Sequence, residues 1–300
     1  MTFGVITIAD GDWYVSMAID LALSLDLYSP QLPKSVLTSE KFAERLKNYY
    51  DNVIILDPKR GNVHGFEQKL FLVDYSPYER TLYLDCDSLV YRPLEFIAKL
   101  YLNVPVGYVG KSVVDGSWYG VHIKDLLSRL DKVHFNQVQG GFLFFDNSPK
   151  AKQIFKSARF YHARSQEFGI PEWSWRGKGV FSDELALGLA LTEMMVGPVN
   201  DGGSTMRFPM GLIEDPNLRI LESKCTLKLK SGDYLEESQT AHPAVMHFCT
   251  WHNHDIYTRE RIMVRLHMKY KIPAFLLKYC YPLITAAISL RKHLVTLTNR

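Results

Sequence analysis

This 300-residue sequence is short of cysteine, of net charge and of long uninterrupted apolar runs. Its four cysteines (Cys86, Cys225, Cys249, Cys280) are widely spaced and form no CxxC pair. That excludes a disulfide-stapled scaffold and points to free thiols in a reducing compartment. A formal net charge of only +3 gives no case for general nucleic-acid binding, and no nucleic-acid partner is expected. G-x-G-x-x-G and G-x-x-x-x-G-K-[ST] are both missing, which excludes a dinucleotide fingerprint and a P-loop. The sequence has no internal repeat and no low-complexity segment. Its start, MTFGVITIAD, passes straight into a strand-like run without a basic n-region or cleavage site. The expectation is a cytoplasmic chain.

What is there suits an α/β protein. Hydrophobic residues make up 47% and charged residues 22%, enough to bury a sizeable core. FGVITI (3–8) reads as a strand and ADGD (9–12) as a polar turn. WYVSMAIDLALSLDLY (13–28) reads as a helix, with Met17, Leu21, Ser24, Leu25 and Tyr28 at helical spacing. SVLTS (35–39) and NVIIL (52–56) read as strands around a helix over 41–50. FEQKLFLVDY (66–75) fits a helix and TLYLD (81–85) a buried strand. The alternation predicts a Rossmann-like, mostly parallel sheet with helices on both faces. Ligands of such sheets sit at the carboxyl ends of the strands, where Asp10, Asp85 and Asp87 fall. Further along, GGFLFFDNS (140–148) predicts a strand, 148–165 a helix and PEWSWRGKG (171–179) a loop. SDELALGLALTEM (182–194) predicts a helix capped by Ser182, and 217–248 returns to strand-like runs.

LYLDCDSLVY (82–91) ends its apolar run on two aspartates one residue apart. Buried like charges repel, so the pair needs a cation, a shared proton or open solvent. A hard divalent cation wants carboxylate oxygens and keeps positions for substrate phosphates; a solvated turn satisfies the same ten residues. His247 closes the run AVMHF (244–248), and imidazole suits Mn²⁺ better than Mg²⁺ or Ca²⁺. A hydrogen-bonded core histidine fits that position as well. His252 and His254 fall on a following loop, with no Cys or Glu at zinc spacing. Trp173 and Trp175 suit stacking on acceptor sugar rings, or equally a loop pinned by aromatic packing.

The order of four stretches is more specific than any one motif. They are ITIADGDWYVSMAIDLALSL (6–25), EQKLFLVDYSPYERTLYLDCDSLVYRPL (67–94), QGGFLFFDNSPKAKQIF (139–155) with FSDELALGLAL (181–191), and AVMHF (244–248). Together they resemble the GT-A nucleotide-sugar glycosyltransferases over roughly residues 1–250. The likeness is closest to glycosyltransferase family 8, which contains glycogenin and bacterial lipopolysaccharide galactosyltransferases. The resemblance implies a GT-A domain over 1–255 and a hexosyl transfer with retention from a UDP-sugar donor to a glycan or lipid-linked acceptor. It implies Mn²⁺ (or Mg²⁺) on Asp85, Asp87 and His247, and Ala9, Asp10 and Tyr14 around the uridine. Lys69, Gln139 and Gly140 match donor-contacting positions, and Asp183 and Glu184 match the acidic-amide pair at the reaction centre. Three positions depart from the family pattern. Gln139 stands for Asn, Glu184 for Gln, and HFCTWHNHD (247–255) for HFxGxxKPW. The phosphate-contacting lysine is thereby missing, so Asn253, His252 or His254 has to substitute.

Residues 256–300 form the remaining segment, a basic amphipathic C-terminal tail. Ile262, Leu266 and Tyr270 share a helical face. The apolar run Ile272–Leu290 is interrupted by Pro273, Lys278 and Pro282, against a membrane span of roughly 20 residues. The expectation is a tail lying peripherally on the cytoplasmic membrane face, with packing back on the catalytic domain as the alternative. Two rival readings stand beside the transferase. A haloacid-dehalogenase-like phosphatase would use Asp85 as nucleophile and Asp87 as acid/base, with SGDYLEES (231–238) as its later acidic motif. A non-catalytic sugar-nucleotide-binding protein would account for the altered HFCTWHNHD.

Overall fold

Strand Phe3–Ile8 pairs in parallel with Lys34–Thr38 on one side and with Arg80–Leu84 on the other. Asn52–Ile55 extends the sheet in parallel beyond Lys34–Thr38. Phe135–Asp146 then lies antiparallel to both Arg80–Leu84 and Val106–Val113. The order across the six strands is 52–55, 34–38, 3–8, 80–84, 135–146, 106–113. One strand in six is reversed, so the sheet is mostly parallel, flanked by helices, as expected. This computed structural model describes the backbone of residues 2–60, 66–175, 178–230 and 239–298, with side chains left out at 173–175, 178–179 and 292–298.

The strand order positions the site. From Phe3–Ile8 the chain moves outward through two strands, then returns to the opposite side of the first. Such a switch point opens a crevice at the carboxyl ends of the two strands that flank it. Asp10 follows one of those strands and Asp85 the other. Arg80–Leu84 is buried along nearly its whole length, which explains its unbroken apolar run.

Contacts divide the chain into two compact units. The first comprises Met1–Val15, Leu32–Asp85 and Ile97–Asn200 and contains the large sheet. Ile6, Leu37, Tyr83, Leu143, Phe145 and Leu187 belong to its core. Helix Asp183–Glu193 is buried from Asp183 to Thr192 and packs on strand Phe135–Asp146. At Gly188 a Cβ would stand 2.4 Å from the Asn136 carbonyl oxygen, so only glycine lets helix and strand approach so closely. Ser182 caps this helix as expected, its hydroxyl accepting from the Leu185 amide at 3.2 Å. Ser182→Ala is expected to cost about 1 kcal/mol in urea unfolding; an unchanged midpoint would show that the cap is not used.

Two predictions in this unit need correction. Residues 66–75 form a 3-10 helix over Phe66–Phe71 and only a short α-helix over Leu72–Tyr75. The tertiary contact of Lys69 with the Gly140 carbonyl oxygen competes with the α period there. The expected loop 171–179 contains strand Trp173–Trp175, paired antiparallel with Lys178–Val180. The side chains of Trp173 and Trp175, read as stacking candidates, lie outside the described residues.

The second unit comprises Ser16–Gln31, Cys86–Phe96 and Asp201–Arg300. Its central strand Val245–His247 runs parallel to Met206–Arg207 and antiparallel to Ser88–Val90, with His247 opposite Ser88. Helix Asp255–Met268 buries Tyr257, Glu260, Met263 and Val264, a different face from the Ile262–Leu266–Tyr270 stripe. Arg261 and Arg265 both pair with the fully buried Asp20. Part of the basic charge of this segment is therefore consumed inside the unit. The run from Ile272 breaks into helix Ala274–Leu277, a 3-10 turn Lys278–Cys280 and helix Tyr281–Thr298. Among the described residues no helix is long and apolar enough to cross a membrane. All four cysteines are free thiols.

Candidate active site

In the first unit a buried lysine collects the acids. The Lys69 ammonium lies 3.1 Å from Asp85 Oδ2 and 3.5 Å from Asp183 Oδ2, and donates to the Gly140 carbonyl oxygen at 3.3 Å. Burial alone would pull its pKa down. The carboxylates of Asp85, Asp183 and Glu184 outweigh that and hold it above the ordinary lysine range, so it stays charged. Tyr83 donates its hydroxyl hydrogen to Asp85 Oδ1. Asp183 Oδ2 is buried and accepts no hydrogen bond among the described residues. Burial raises its carboxyl despite the nearby Lys69.

Glu184 sits differently from its neighbour. Its Oε1 accepts from the Gly140 amide at 2.7 Å and its Oε2 from the Tyr119 hydroxyl at 2.6 Å. Burial, and then the charge of Asp183, push its pKa up to about 7 against these hydrogen bonds. The folded protein therefore holds this proton more tightly than the unfolded chain between pH 4.5 and about 7. Linkage makes its contribution to stability fall as pH rises through that window and stay low above it. Glu184→Gln is expected to be the more stable protein at pH 8 by about 3 kcal/mol, with the difference largely gone near pH 4.5. Urea unfolding at a series of pH values checks this. Parallel pH profiles for the two proteins would refute the assignment.

In the second unit Asp87 is gripped from both sides. His247 Nε2 lies 3.1 Å from its Oδ1 and His252 Nε2 lies 2.5 Å from its Oδ2. Burial would raise this carboxyl; the two rings prevail and hold it well below the usual carboxylate range. Asp87 is therefore an anion at any ordinary pH. Asp85, Asp87 and His247 each offer one ligand atom, and these atoms lie within 4.8 Å of one another. Two carboxylates and an imidazole fit a divalent cation such as Mn²⁺ by the chemistry of the donor set.

The remaining predicted positions occupy the strand ends of the first unit. Ala9 is buried, its amide bonded to the Leu37 carbonyl oxygen at 2.9 Å and its own carbonyl accepting from Thr38 Oγ1 at 2.6 Å. Asp10 Oδ1 accepts from Ser39 Oγ at 2.5 Å. Gly11, at φ +109°, turns the chain into the helix that carries the half-buried Tyr14. Gln139 is buried, and its Oε1 accepts from the Gly141 amide at 2.7 Å.

Three site residues escaped the sequence reading in these roles. Tyr83, Tyr119 and His252 hold Asp85, Glu184 and Asp87 respectively. Tyr83 was visible only as part of an apolar strand. Tyr119 and Gly120 both have positive φ between the paired residues Ser117–Trp118 and Val121–His122. Gly120 suits such a turn, but nothing local says which carboxylate the Tyr119 hydroxyl reaches. Of the three residues named as lysine substitutes, His252 faces Asp87. The His254 ring instead stacks on Trp251 at 4.0 Å, and its Nδ1 caps helix Asp255–Met268. The later acidic motif of the phosphatase reading, 231–238, lies outside the described residues.

No family model matches this sequence, and no curated protein sequence does either. Solved structures do. A galactosyltransferase, LgtC, in complex with donor and acceptor sugar analogs matches with a TM-score of 0.52 at 15% identity, covering 86% of this chain and 95% of that one. Mouse xyloside xylosyltransferase 1 in its apo form matches at 0.49 and 11% identity, covering 82% and 97%. At these identities the first match carries a statement about architecture. With the sheet order and the D-x-D at a strand end, it assigns the chain the GT-A glycosyltransferase fold.

Proposed function

We propose that this protein is a metal-dependent glycosyltransferase that moves a hexose from a UDP-sugar to a glycan or lipid-linked acceptor, with retention. The observation that carries the reading is the Asp85–Asp87–His247 group at the end of a sheet strand in a GT-A fold. A nucleoside diphosphate leaves poorly until its charge is offset. Mn²⁺ (or Mg²⁺) on these three residues supplies that offset as a Lewis acid. Lys69, permanently charged among its carboxylates, adds fixed positive potential beside the donor. Ala9, Asp10 and Tyr14 receive the uridine at the adjoining strand end, and Gln139 and Gly140 line the donor side.

Asp183 and Glu184 divide their roles in this reading. Asp183 Oδ2, ion-paired with Lys69 but accepting no hydrogen bond among the described residues, is the oxygen offered to the sugar, as nucleophile or as acceptor of a sugar hydroxyl. Glu184 is occupied by Gly140 and Tyr119 and braces the Gly-rich strand. A lipid-linked acceptor draws support from the exposed Phe275, Leu276, Tyr279 and Leu283 beside Lys271 and Lys278. That surface suits peripheral contact with an anionic, cytoplasmic membrane face.

Calorimetric titration of UDP into the protein, with and without Mn²⁺, tests the reading. Binding that requires Mn²⁺, followed by donor turnover in a panel of UDP-sugars, is the expected result. Metal-dependent UDP binding with no turnover across acceptors favours the non-catalytic rival. Absence of UDP binding with phosphate release from a small phosphoester favours the phosphatase.

A further inference from the structure

The carboxylate of Asp87 faces two imidazoles, whereas the reading above uses one. We infer that His252 is a further ligand of the cation held by Asp85, Asp87 and His247, making this a two-histidine centre. The inference rests on that reading of the site and deepens it.

The geometry is that of neighbouring ligands. Around a first-row divalent ion with bonds of about 2.1 Å, adjacent ligand atoms stand about 3 Å apart. His247 Nε2 and His252 Nε2 lie 3.1 and 2.5 Å from the two different oxygens of Asp87. Each ring thus approaches the carboxylate from its own side. Both nitrogens therefore stand beside the one carboxylate that the reading above gives to the cation.

His252 is also held in place rather than dangling. The Phe248 amide donates to the Asp87 carbonyl oxygen at 3.0 Å, tying the turn back to the D-x-D segment. The Trp251 amide donates to the Phe248 carbonyl oxygen and the His254 amide to that of Trp251, at 2.5 and 2.9 Å. Phe248 stacks on Tyr257 at 4.4 Å and Trp251 on His254 at 4.0 Å. Both flanks of His252 are therefore packed, and its ring is set on Asp87. Its side chain is 29% exposed, against 4% for His247, so it stands on the solvent side of the group.

The consequence is metal choice. A second imidazole moves the donor set away from the all-oxygen surroundings that Mg²⁺ prefers and toward Mn²⁺, Co²⁺ and Zn²⁺.

Pulsed electron paramagnetic resonance of Mn²⁺ added to the full chain counts directly bound nitrogens without any activity. The wild type is expected to show two, and His252→Ala one, with Mn²⁺ affinity by calorimetry at least about tenfold weaker. His254→Ala, which disturbs the same turn without removing this ring, is expected to keep two. The advantage of Mn²⁺ over Mg²⁺ should shrink in His252→Ala. One nitrogen in the wild type, unchanged in His252→Ala, overturns the fourth ligand and leaves the three-residue centre standing. Mn²⁺ that binds neither protein overturns both. Loss of all bound nitrogen in His254→Ala would show that the turn, not the His252 ring, sets the metal environment, and overturns the inference.

Discussion

Asp87→Ala is expected to abolish Mn²⁺-dependent binding of UDP and to lower kcat/KM for donor turnover by about 10³-fold or more. The residue is buried and anionic, and both of its oxygens are engaged by imidazoles. Replacing it removes the negative charge that a divalent cation needs, while Asp85 remains paired with Lys69. The remaining donors are then one carboxylate already offset by an ammonium and imidazoles without a central anion. Calorimetry with and without Mn²⁺ reads the loss, and cooperative unfolding of the variant in urea separates it from misfolding. Retained Mn²⁺-dependent UDP binding in a folded Asp87→Ala protein would remove the D-x-D from the metal site. Asp87→Asn is the companion, because it keeps the shape and a hydrogen-bonding oxygen while losing only the charge.

Lys69→Met carries the largest expected loss of stability. Its ammonium is the buried counter-charge for Asp85, Asp183 and Glu184. Removing one partner of such a group leaves uncompensated buried carboxylates and costs roughly 3–5 kcal/mol. In a chain of this length that corresponds to a fall in Tm of roughly 10 °C, measured without metal. The double variant Lys69→Met with Asp183→Asn is expected to recover part of the loss, because one of the stranded charges goes with it. A single-variant Tm within about 2 °C of wild type would mean that the carboxylates simply take up protons at little cost. Turnover should also collapse, but stability is the cleaner readout, as it requires no assumption about the donor.

Much of the first unit could be read before any coordinates. Period-two and continuous apolar runs located Phe3–Ile8, Lys34–Thr38, Asn52–Ile55 and Arg80–Leu84 to within a residue or two. Strand Phe135–Asp146 was read from Gly140 onward, and its first half was missed. Asn136, Gln137 and Gln139 are polar yet buried, so the run looks like a loop. Asn136 is satisfied by Ser112 and the Val196 carbonyl oxygen and Gln139 by the Gly141 amide, whereas Gln137 Oε1 accepts no hydrogen bond among the described residues. The partners of Asn136 come from distant segments and leave no trace in local composition.

The sequence by itself determined the type of most elements, the placement of Asp10, Asp85 and Asp87 at strand ends, and the cap at Ser182. These are local properties: periodicity, turn chemistry and the end of an apolar run. Tertiary structure alone decided the strand order that makes a switch point beside Asp10 and Asp85, and the reversal of Phe135–Asp146. It also chose the partners of each charge. Lys69 was assigned to the donor, and it is equally the counter-ion of three acids. Arg261 and Arg265, within the segment read as a basic amphipathic tail, are ion pairs of the buried Asp20. His252 was one of three interchangeable candidates until a turn pinned by Phe248 and Trp251 set its ring on Asp87. A charge is satisfied by whatever lies within a few ångströms, and over separations of 165 or 241 residues only the folded chain determines what that is.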